Sequence, residues 1–306
     1  MVVRMKLVKM CYRVKYCLEK IYGEKISDIT AEKLITVYYG LAKHGRQGTN
    51  QKHSRKRKVV VSMTSIPSRI DKVWITIESL LRQSYKPDKI LLWLGQDEFK
   101  SVKLPDKLTE QIKRGVEIRY CENLKSYKKF YYAVKEYPHD YIIVVDDDVI
   151  YTENMLAELV QTYQKNRGCV ICHRSHCMTV KQGELRPYNK WVNYQIRSDL
   201  NISPTYYNFF TGCAGILFPM FLMDRKVLEK DAFMRLAPNA DDVWLNFCAW
   251  ISGLKIKNTE GILGNIISIE SSAGKGLMQK NVSQRENDLQ IKQVLAYFNI
   301  NIHDYL

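Results

Sequence analysis

No stretch of this sequence strings together the roughly 18 apolar residues that a membrane-spanning helix requires, so no spanning segment is expected. The N-terminus is basic but has no uninterrupted apolar core, which argues against a cleaved leader. A G-x-S-x-G nucleophile elbow, a Walker lysine loop and a G-x-G-x-x-G fingerprint are all missing. Their absence removes elbow-type hydrolases, P-loop enzymes and Rossmann dehydrogenases from consideration. Cysteine occurs eight times, but without the dense spacing of a small disulfide-stapled domain. Reduced thiols and a cytoplasmic setting are therefore expected, and there the sequons at Asn201 and Asn281 carry no glycan. One cluster, Cys169, Cys172, His173, His176 and Cys177, imitates a zinc site. No second Cys/His pair stands at finger spacing, and Cys169 and Cys172 fall on a predicted strand where their side chains point to opposite faces. Buried thiols and surface histidines are expected instead.

What is present is a basic bias with a definite place. Residues 1–58 hold 15 of the 47 Lys and Arg but only 4 of the 32 Asp and Glu, so most of the net +15 belongs to an N-terminal extension. Within it Val3, Leu7, Met10, Val14, Cys17, Leu18 and Ile21 recur at helical spacing, with Lys and Arg on the other side. Two readings fit: an interfacial helix drawn to anionic lipid, or a helix packed on the body with a solvated basic face. Nucleic acid is not an expected partner, because no aromatic platform or recognition motif accompanies the charge. A second helix is expected over 26–44, and GRQGTNQKHSRKRK at 45–58 reads as an exposed linker. The chain is divided accordingly into a basic helical extension and linker, 1–57, and a body, 58–306. With 46% apolar residues, material for a sizeable core is available.

The body is organised around YIIVVDDDVIY, residues 141–151. Ile142, Ile143, Val144 and Val145 show no alternation. A strand apolar on both faces belongs in the middle of a sheet covered by helices on both sides. Open α/β sheets bind ligands at the carboxyl ends of such strands. Adjacent carboxylates repel one another and need a cation or a proton. A hard divalent ion carrying a phosphate ligand meets that need, which makes Asp146 and Asp148 candidate metal ligands.

Around this run, strands and helices alternate. Strands are expected from Val59, over 89–94 and near 116–120, with helices over 70–83, 104–113 and 126–137. That order predicts an α/β fold with a parallel, twisted sheet and right-handed crossovers. The first strand ends in Thr64-Ser65-Ile66-Pro67-Ser68-Arg69, at the ligand edge. Arg69 there either meets a phosphate or base, or is a surface arginine beside a helix cap made by Ser68. Lys128 and Lys129, in the first turn of a helix, oppose its macrodipole; either an anion stands near or both reach into solvent. Thr152 is expected to cap a helix running to Lys165. Residues 173–211, rich in Tyr, Trp and Phe, read as irregular substrate-binding structure. Gly212 precedes the next strand and lets a ligand approach the backbone. Asp241 and Asp242 open an apolar helix, either capping its free amides or supplying a general base held ionised by them. Residues 271–284 read as a mobile lid and 287–298 as a closing helix.

Five segments taken together resemble bacterial glycosyltransferases of the GT-A fold, of the kind found in surface-polysaccharide gene clusters. They are SMTSIPSRI at 62–70, SYKKF at 126–130, YIIVVDDDVIY at 141–151, TGCAGILFP at 211–219 and ADDVWLNF at 240–247. The resemblance covers roughly 58–300. It implies a GT-A-type, mostly parallel twisted sheet flanked by helices. It also implies a nucleotide-sugar donor, UDP-linked, with Mn²⁺ or Mg²⁺ on the D-x-D. Carried over, it makes Asp146 and Asp148 the metal ligands, with Asp148 the more direct, and has Asp147 orient the donor sugar. Thr64, Pro67 and Arg69 match the nucleotide-side loop, and Lys129 and Gly212 join the donor site. Asp242, with Asp241 beside it, matches the base of inverting members. Relatives often carry a late histidine as a third metal ligand; here only His303 follows the acidic pair, too near the C-terminus. The implied acceptor is a glycan or lipid-linked glycan, and the basic arm points to peripheral work at the inner face of a membrane. Two rival classes are a nucleotidyltransferase and a non-catalytic nucleotide- or sugar-binding module. The first would show a glycine-rich loop where 64–69 has no glycine, and the second has little need for two carboxylate clusters.

Overall fold

The computed structural model describes residues 24–41, 47–52, 54–193, 203–259, 266–269 and 286–305, with positions 11, 15–17, 19 and 21. A helix, α1 (Glu24–Leu41), precedes the body. The body runs β1 (Val59–Thr64), α2 (Val73–Leu81), β2 (Lys89–Gly95), α3 (Asp106–Ile112), β3 (Val116–Cys121), α4 (Lys128–Glu136), β4 (Tyr141–Val144), β5 (Val149–Ile150), α5 (Met155–Lys165) and β6 (Cys169–Cys172). It continues with β7 (Ser175–Cys177), β8 (Val180–Lys181), β9 (Glu184–Leu185), β10 (Val192–Asn193), β11 (Asn208–Phe210), β12 (Ile216–Pro219), α6 (Lys230–Leu236), α7 (Asp241–Ile251), β13 (Lys255–Asn258), β14 (Ile267–Ser268) and α8 (Glu286–Tyr297).

The main sheet has the strand order β13-β6-β12-β4-β1-β2-β3. Strands β3, β2, β1 and β4 are parallel, as the strand–helix alternation predicts. Strand β12 then enters between β4 and β6 and runs antiparallel to both, while β13 is parallel to β6. The sheet is therefore mostly, not wholly, parallel. Periodicity reports which face a side chain takes but not the direction in which a strand enters a sheet, so this reversal left no sequence signal.

Strand β4 sits inside the sheet, and both of its faces are covered. Ile142 and Val144 join a core with Phe130 of α4, Phe233 of α6, Trp244 and Phe247 of α7, and Val294 of α8. Ile143 and Val145 join a second core with Ile77 of α2, Leu108 of α3 and Leu159 of α5. Burying a side chain of this size contributes about 1.5–3 kcal/mol. Cys169 and Cys172 divide between these two cores, as the strand geometry requires. His173 is buried and bonded to Glu158 at 3.0 Å, not exposed as expected.

Three further expectations are changed or refined. The stretch read as an exposed linker is largely exposed, with Gln51, Lys52, Ser54, Lys56 and Lys58 open to solvent, but it is seated on the body: the Gly48 amide donates to the Arg114 carbonyl at 2.9 Å, Arg55 pairs with Asp88 at 2.8 Å, and Arg57 lies 3.6 Å over the Phe221 ring. Arginine stems cover apolar surface while their heads stay hydrated, so a basic run need not be loose. Residues 173–211 are also more regular than expected, and 194–202 lie outside the described residues. Strand β7 pairs antiparallel with β10 and β11, and β8 pairs with β9. Trp191, Phe209 and Phe210 are buried in the α7-side core, so these aromatics are not a sugar-stacking surface. Finally, α5 starts at Met155 with Asn154 in the cap position and no side-chain cap bond, while the Thr152 carbonyl accepts from Gln83 at 2.6 Å.

The second helix of the extension packs on the body. Ala31, Ile35 and Tyr39 of α1 meet Trp74, Ile75, Ile150 and Ile267. Lys15 reaches the Ile266 carbonyl at 2.5 Å and pairs with Asp28. Leu34, Val37 and Leu41 remain exposed. Most of the 3–21 stripe, and the lid expected at 271–284, lie outside the described residues.

Candidate active site

Strands β1, β4 and β6 end along one edge of the sheet, and the N-terminus of α7 faces that edge. Beyond β4 the chain turns through Asp146, Asp147 and Asp148. Asp147 is buried and faces the β1 loop: Ser65 Oγ donates to Oδ2 at 2.5 Å and Arg69 Nη1 to Oδ1 at 2.8 Å. Thr76 Oγ1 fixes the Asp147 carbonyl at 2.9 Å. These bonds pin the turn to the loop opened by Pro67. Arg69 also pairs with Asp148 Oδ2 at 2.9 Å, so its guanidinium holds two carboxylates at once. The Thr64 hydroxyl is turned to β2, donating to the Trp93 carbonyl at 2.8 Å.

Asp146 accepts from Lys129 Nζ at 2.7 Å, and its amide donates to the Tyr151 hydroxyl at 2.9 Å. The same ammonium lies 3.2 Å from Asp241 Oδ2. Lys129 thus joins the D-x-D turn to the acidic pair that opens α7. Burial alone would discharge it, but Asp146, Asp241 and Asp242 more than offset that and raise it well above its ordinary value. The anion that the macrodipole argument asked for is supplied by the chain itself. Lys128 finds one too, in Glu98 at 2.9 Å.

Asp242 does not cap its helix. Ala240 occupies the cap position without a side-chain bond, and Asp242 Oδ2 accepts instead from the Gly212 amide at 3.1 Å. The expectation that helix amides hold this carboxylate ionised is overturned. Burial first, then the charge of Asp241, push it up to about 7, against a smaller opposing pull from Lys129 and the Gly212 amide. Asp148 is pushed up to about 6 by burial and by Asp146, with Arg69 opposing. Gly212 stands where these groups converge. A Cβ there would lie 3.2 Å from Asp242 Oδ1, 3.2 Å from Lys129 Nζ and 3.6 Å from Asp146 Oδ1.

Asp146, Asp147, Asp148 and Asp241 therefore converge on two cations, Lys129 and Arg69, with Asp242 held beside them by the Gly212 amide. Among the described residues no set of three or more His, Cys, Asp or Glu side chains is grouped to hold a metal. The site is not a closed metal cage. Two carboxylates suffice for Mg²⁺ or Mn²⁺ when phosphate oxygens and water complete the shell; Asp146 and Asp148 are of that chemistry and are here paired with Lys129 and Arg69. His303 lies beside Gly183, away from this edge.

Two residues at the site, Tyr151 and Arg174, were not singled out from the sequence, and Tyr188 was marked only as part of the aromatic stretch 173–211. Tyr151 bridges the Asp146 amide and the Cys213 carbonyl, the latter at 3.2 Å. Its place at the end of the YIIVVDDDVIY run was the available signal. Arg174 donates to Cys213 Sγ at 2.9 Å, and burial first, then the charge of Asp242, raise the Tyr188 phenol above its ordinary value. These lie in or beside short irregular segments that carry no periodicity. A separate hollow of about 610 Å³, lined by Arg55, Arg57, Tyr85, Tyr141 and Phe221, lies at the amino ends of β1 and β4, away from the carboxylates.

A mostly parallel twisted sheet flanked by helices, with Asp146 to Asp148 at its carboxyl edge, is a GT-A-type architecture. The chain belongs to glycosyl transferase family 2, whose family model matches residues 68–231. That span includes Arg69, Lys129, the D-x-D turn and Gly212, and ends before Asp241. Among solved structures, a mannosyltransferase from Pyrobaculum calidifontis in complex with GDP-mannose and Mn²⁺ is similar at 12% identity and a TM-score of 0.47, over 89% of this chain and 74% of that one. A 4-diphosphocytidyl-2C-methyl-D-erythritol synthase is similar at 12% identity and a TM-score of 0.46, over 78% of this chain and 99% of that one. No curated protein matches the sequence.

Proposed function

We propose that this protein is a metal-dependent, inverting glycosyltransferase that moves a sugar from a UDP-linked donor to a glycan or lipid-linked acceptor in surface-polysaccharide synthesis. The observation that carries the proposal is the meeting of Asp146 and the Asp241–Asp242 pair across Lys129, with side-chain-free Gly212 between them. Asp146 and Asp148 would hold Mn²⁺ or Mg²⁺, which when bound neutralises charge on the diphosphate leaving group. Arg69 and Ser65 keep the turn in place through Asp147, and the Thr64–Arg69 loop lines the nucleotide. Lys129 balances Asp146 and Asp241, so that two acidic groups can stand close without being protonated. Asp242 accepts the proton of the acceptor hydroxyl as that oxygen attacks the anomeric carbon. Its value of about 7 suits a base working near neutral pH. Attack on the face opposite the leaving group inverts the anomeric centre.

Residues 58–306 form the catalytic unit in this proposal, and residues 1–57 hold it at the cytoplasmic face of a membrane. The basic excess of the extension and the exposed Leu34, Val37 and Leu41 of α1 support peripheral contact with anionic lipid. No helix among the described residues is long and apolar enough to cross a bilayer. The test is a thermal-shift panel of UDP- and GDP-sugars with and without Mn²⁺. A rise in melting temperature that needs both nucleotide and metal is expected. No metal-dependent rise with any nucleotide would remove the proposal.

A further inference from the structure

Arg174 has no task in the donor half of the site. It occupies the break between β6 and β7, where the chain leaves the main sheet. Its carbonyl accepts from the Thr211 amide at 3.1 Å and its Nη1 donates to Cys213 Sγ at 2.9 Å. It is thereby fastened to the backbone segment that sets Gly212 against Asp242. Among the described residues no carboxylate lies within 4.0 Å of the guanidinium, and its Nε is sealed from water with no partner.

The groups that act on Arg174 are Cys213, Tyr188 and Asp242. Burial pushes the Cys213 thiol and the Tyr188 phenol up, so both are neutral at ordinary pH. His176 is neutral as well, since burial and Arg174 push it down to about 4. Its ring meets Tyr188 at 5.4 Å, and Tyr188 leans on Trp191 at 4.8 Å and on Phe209 at 5.7 Å, which makes a firm, uncharged wall. Arg174 is a partly desolvated cation, and among the described residues Asp242 is the one carboxylate in the group of side chains that act on it. Such a charge is costly unless an anion arrives.

Arg174 belongs with the base, not with the donor. The D-x-D carboxylates are served by Arg69 and Lys129, whereas Arg174 is tied to Cys213, the neighbour of Gly212, whose amide holds Asp242, the group that has to touch the acceptor hydroxyl. A guanidinium fork suits the oxygens of a phosphate or a carboxylate. We infer that the acceptor carries an anionic substituent, a phosphate or a carboxylate, near the hydroxyl that receives the sugar, and that Arg174 binds it beside the wall of Tyr188 and His176. The inference rests on the glycosyltransferase reading of the cleft.

The test loads the full-length protein with UDP and Mn²⁺ and records melting temperature against glucose, glucuronate and glucose 6-phosphate. Glucuronate or glucose 6-phosphate is expected to raise it where glucose does not, and the two arms separate carboxylate from phosphate. Arg174→Gln should weaken the anionic effect by at least about tenfold in the concentration needed, the loss of a charge-assisted contact. Arg174→Lys should retain part of it, and both variants should keep the rise given by UDP with Mn²⁺. The inference is overturned if the anionic sugars act no more strongly than glucose, or if their effect survives in Arg174→Gln. Loss of the UDP–Mn²⁺ rise in Arg174→Gln, with Arg174→Lys folded, would move Arg174 to the donor and overturn it too. If the unaltered protein shows no rise with UDP or GDP and Mn²⁺, the glycosyltransferase reading itself fails.

Discussion

Replacing Lys129 with methionine should be among the more damaging single changes at the site, although it keeps the stem and removes only the charge. The ammonium pairs with Asp146 at 2.7 Å and Asp241 at 3.2 Å while almost wholly buried. Removing one member of a buried ion pair costs about 3–5 kcal/mol, because the remaining charge is left uncompensated. The Asp146 side chain is 29% exposed and that of Asp241 11%, so water takes up part of the load. A loss near the lower bound, about 3 kcal/mol, follows. At about 2–4 °C per kcal/mol for a large domain, the melting temperature should fall by roughly 6–12 °C. Urea unfolding with unchanged slope is the assay. Lys89→Met is the control: its ammonium bonds Glu117 at 2.5 Å, but both side chains are about a third exposed. That change should cost no more than about 1 kcal/mol. If Lys129→Met costs as little as the control, Lys129 does not join the two acidic pairs and the electrostatic account of the cleft is wrong. Mn²⁺ alone should stabilise Lys129→Met more than the unaltered protein, since the vacated charge invites another cation.

Asp242→Asn should keep the melting response to nucleotide and Mn²⁺ while transfer drops by about 10²–10⁴-fold. In the unaltered protein, transfer should fall as pH drops through about 7, because the base must be ionised and burial with Asp241 holds its value up; the residual rate of Asp242→Asn should lack that limb. Gly212→Val should displace Asp242 and Lys129, whose atoms already lie 3.2 Å from the added Cβ position. A fold intact by circular dichroism with roughly a hundredfold slower transfer is expected, in line with the cost of misplacing a catalytic group by about 1 Å. Replacing the exposed Leu34, Val37 and Leu41 with serine should weaken co-sedimentation with anionic vesicles and leave urea stability nearly unchanged; equal sedimentation would remove α1 from the membrane contact.

The core sheet was legible because Ile142 to Val145 leave no polar face, and only a strand covered on both sides tolerates that. The carboxyl-edge position of Asp146 to Asp148 followed from the same run. Three things were not legible, each for a physical reason. Arg55 and Arg57 looked solvated by charge alone, but their stacking on Tyr85 and Phe221 depends on residues far away in sequence. Asp241 and Asp242 fit a capping pattern, and only tertiary packing shows that Lys129 and the Gly212 amide take their carboxylates instead. The small strands of 173–211 are too short, at two or three residues, to show a period. The same shortness hid Arg174.

The sheet topology has a bearing on how such a protein diversifies. After β6 the chain departs from the main sheet, builds the small sheet, and comes back as β12 in the gap beside β4. Arg174 stands at the exit and Gly212 at the return, and Asn246 of α7 clamps the return through both polar groups of Phe210, each at 3.1 Å. Residues 175–210 are an excursion whose stems lie at β6 and β12, and its described part is also tied to β13, where Thr205 and Ile256 exchange amide bonds at 3.2 and 3.0 Å and Asn208 donates to the Ile256 carbonyl at 2.9 Å. The D-x-D turn, Lys129 and Asp242 all belong to the frame outside it. Under the proposed function, grafting the corresponding excursion from a homologous enzyme, with its contacts to β13 preserved, should change which acceptor is used and leave the nucleotide and metal response intact.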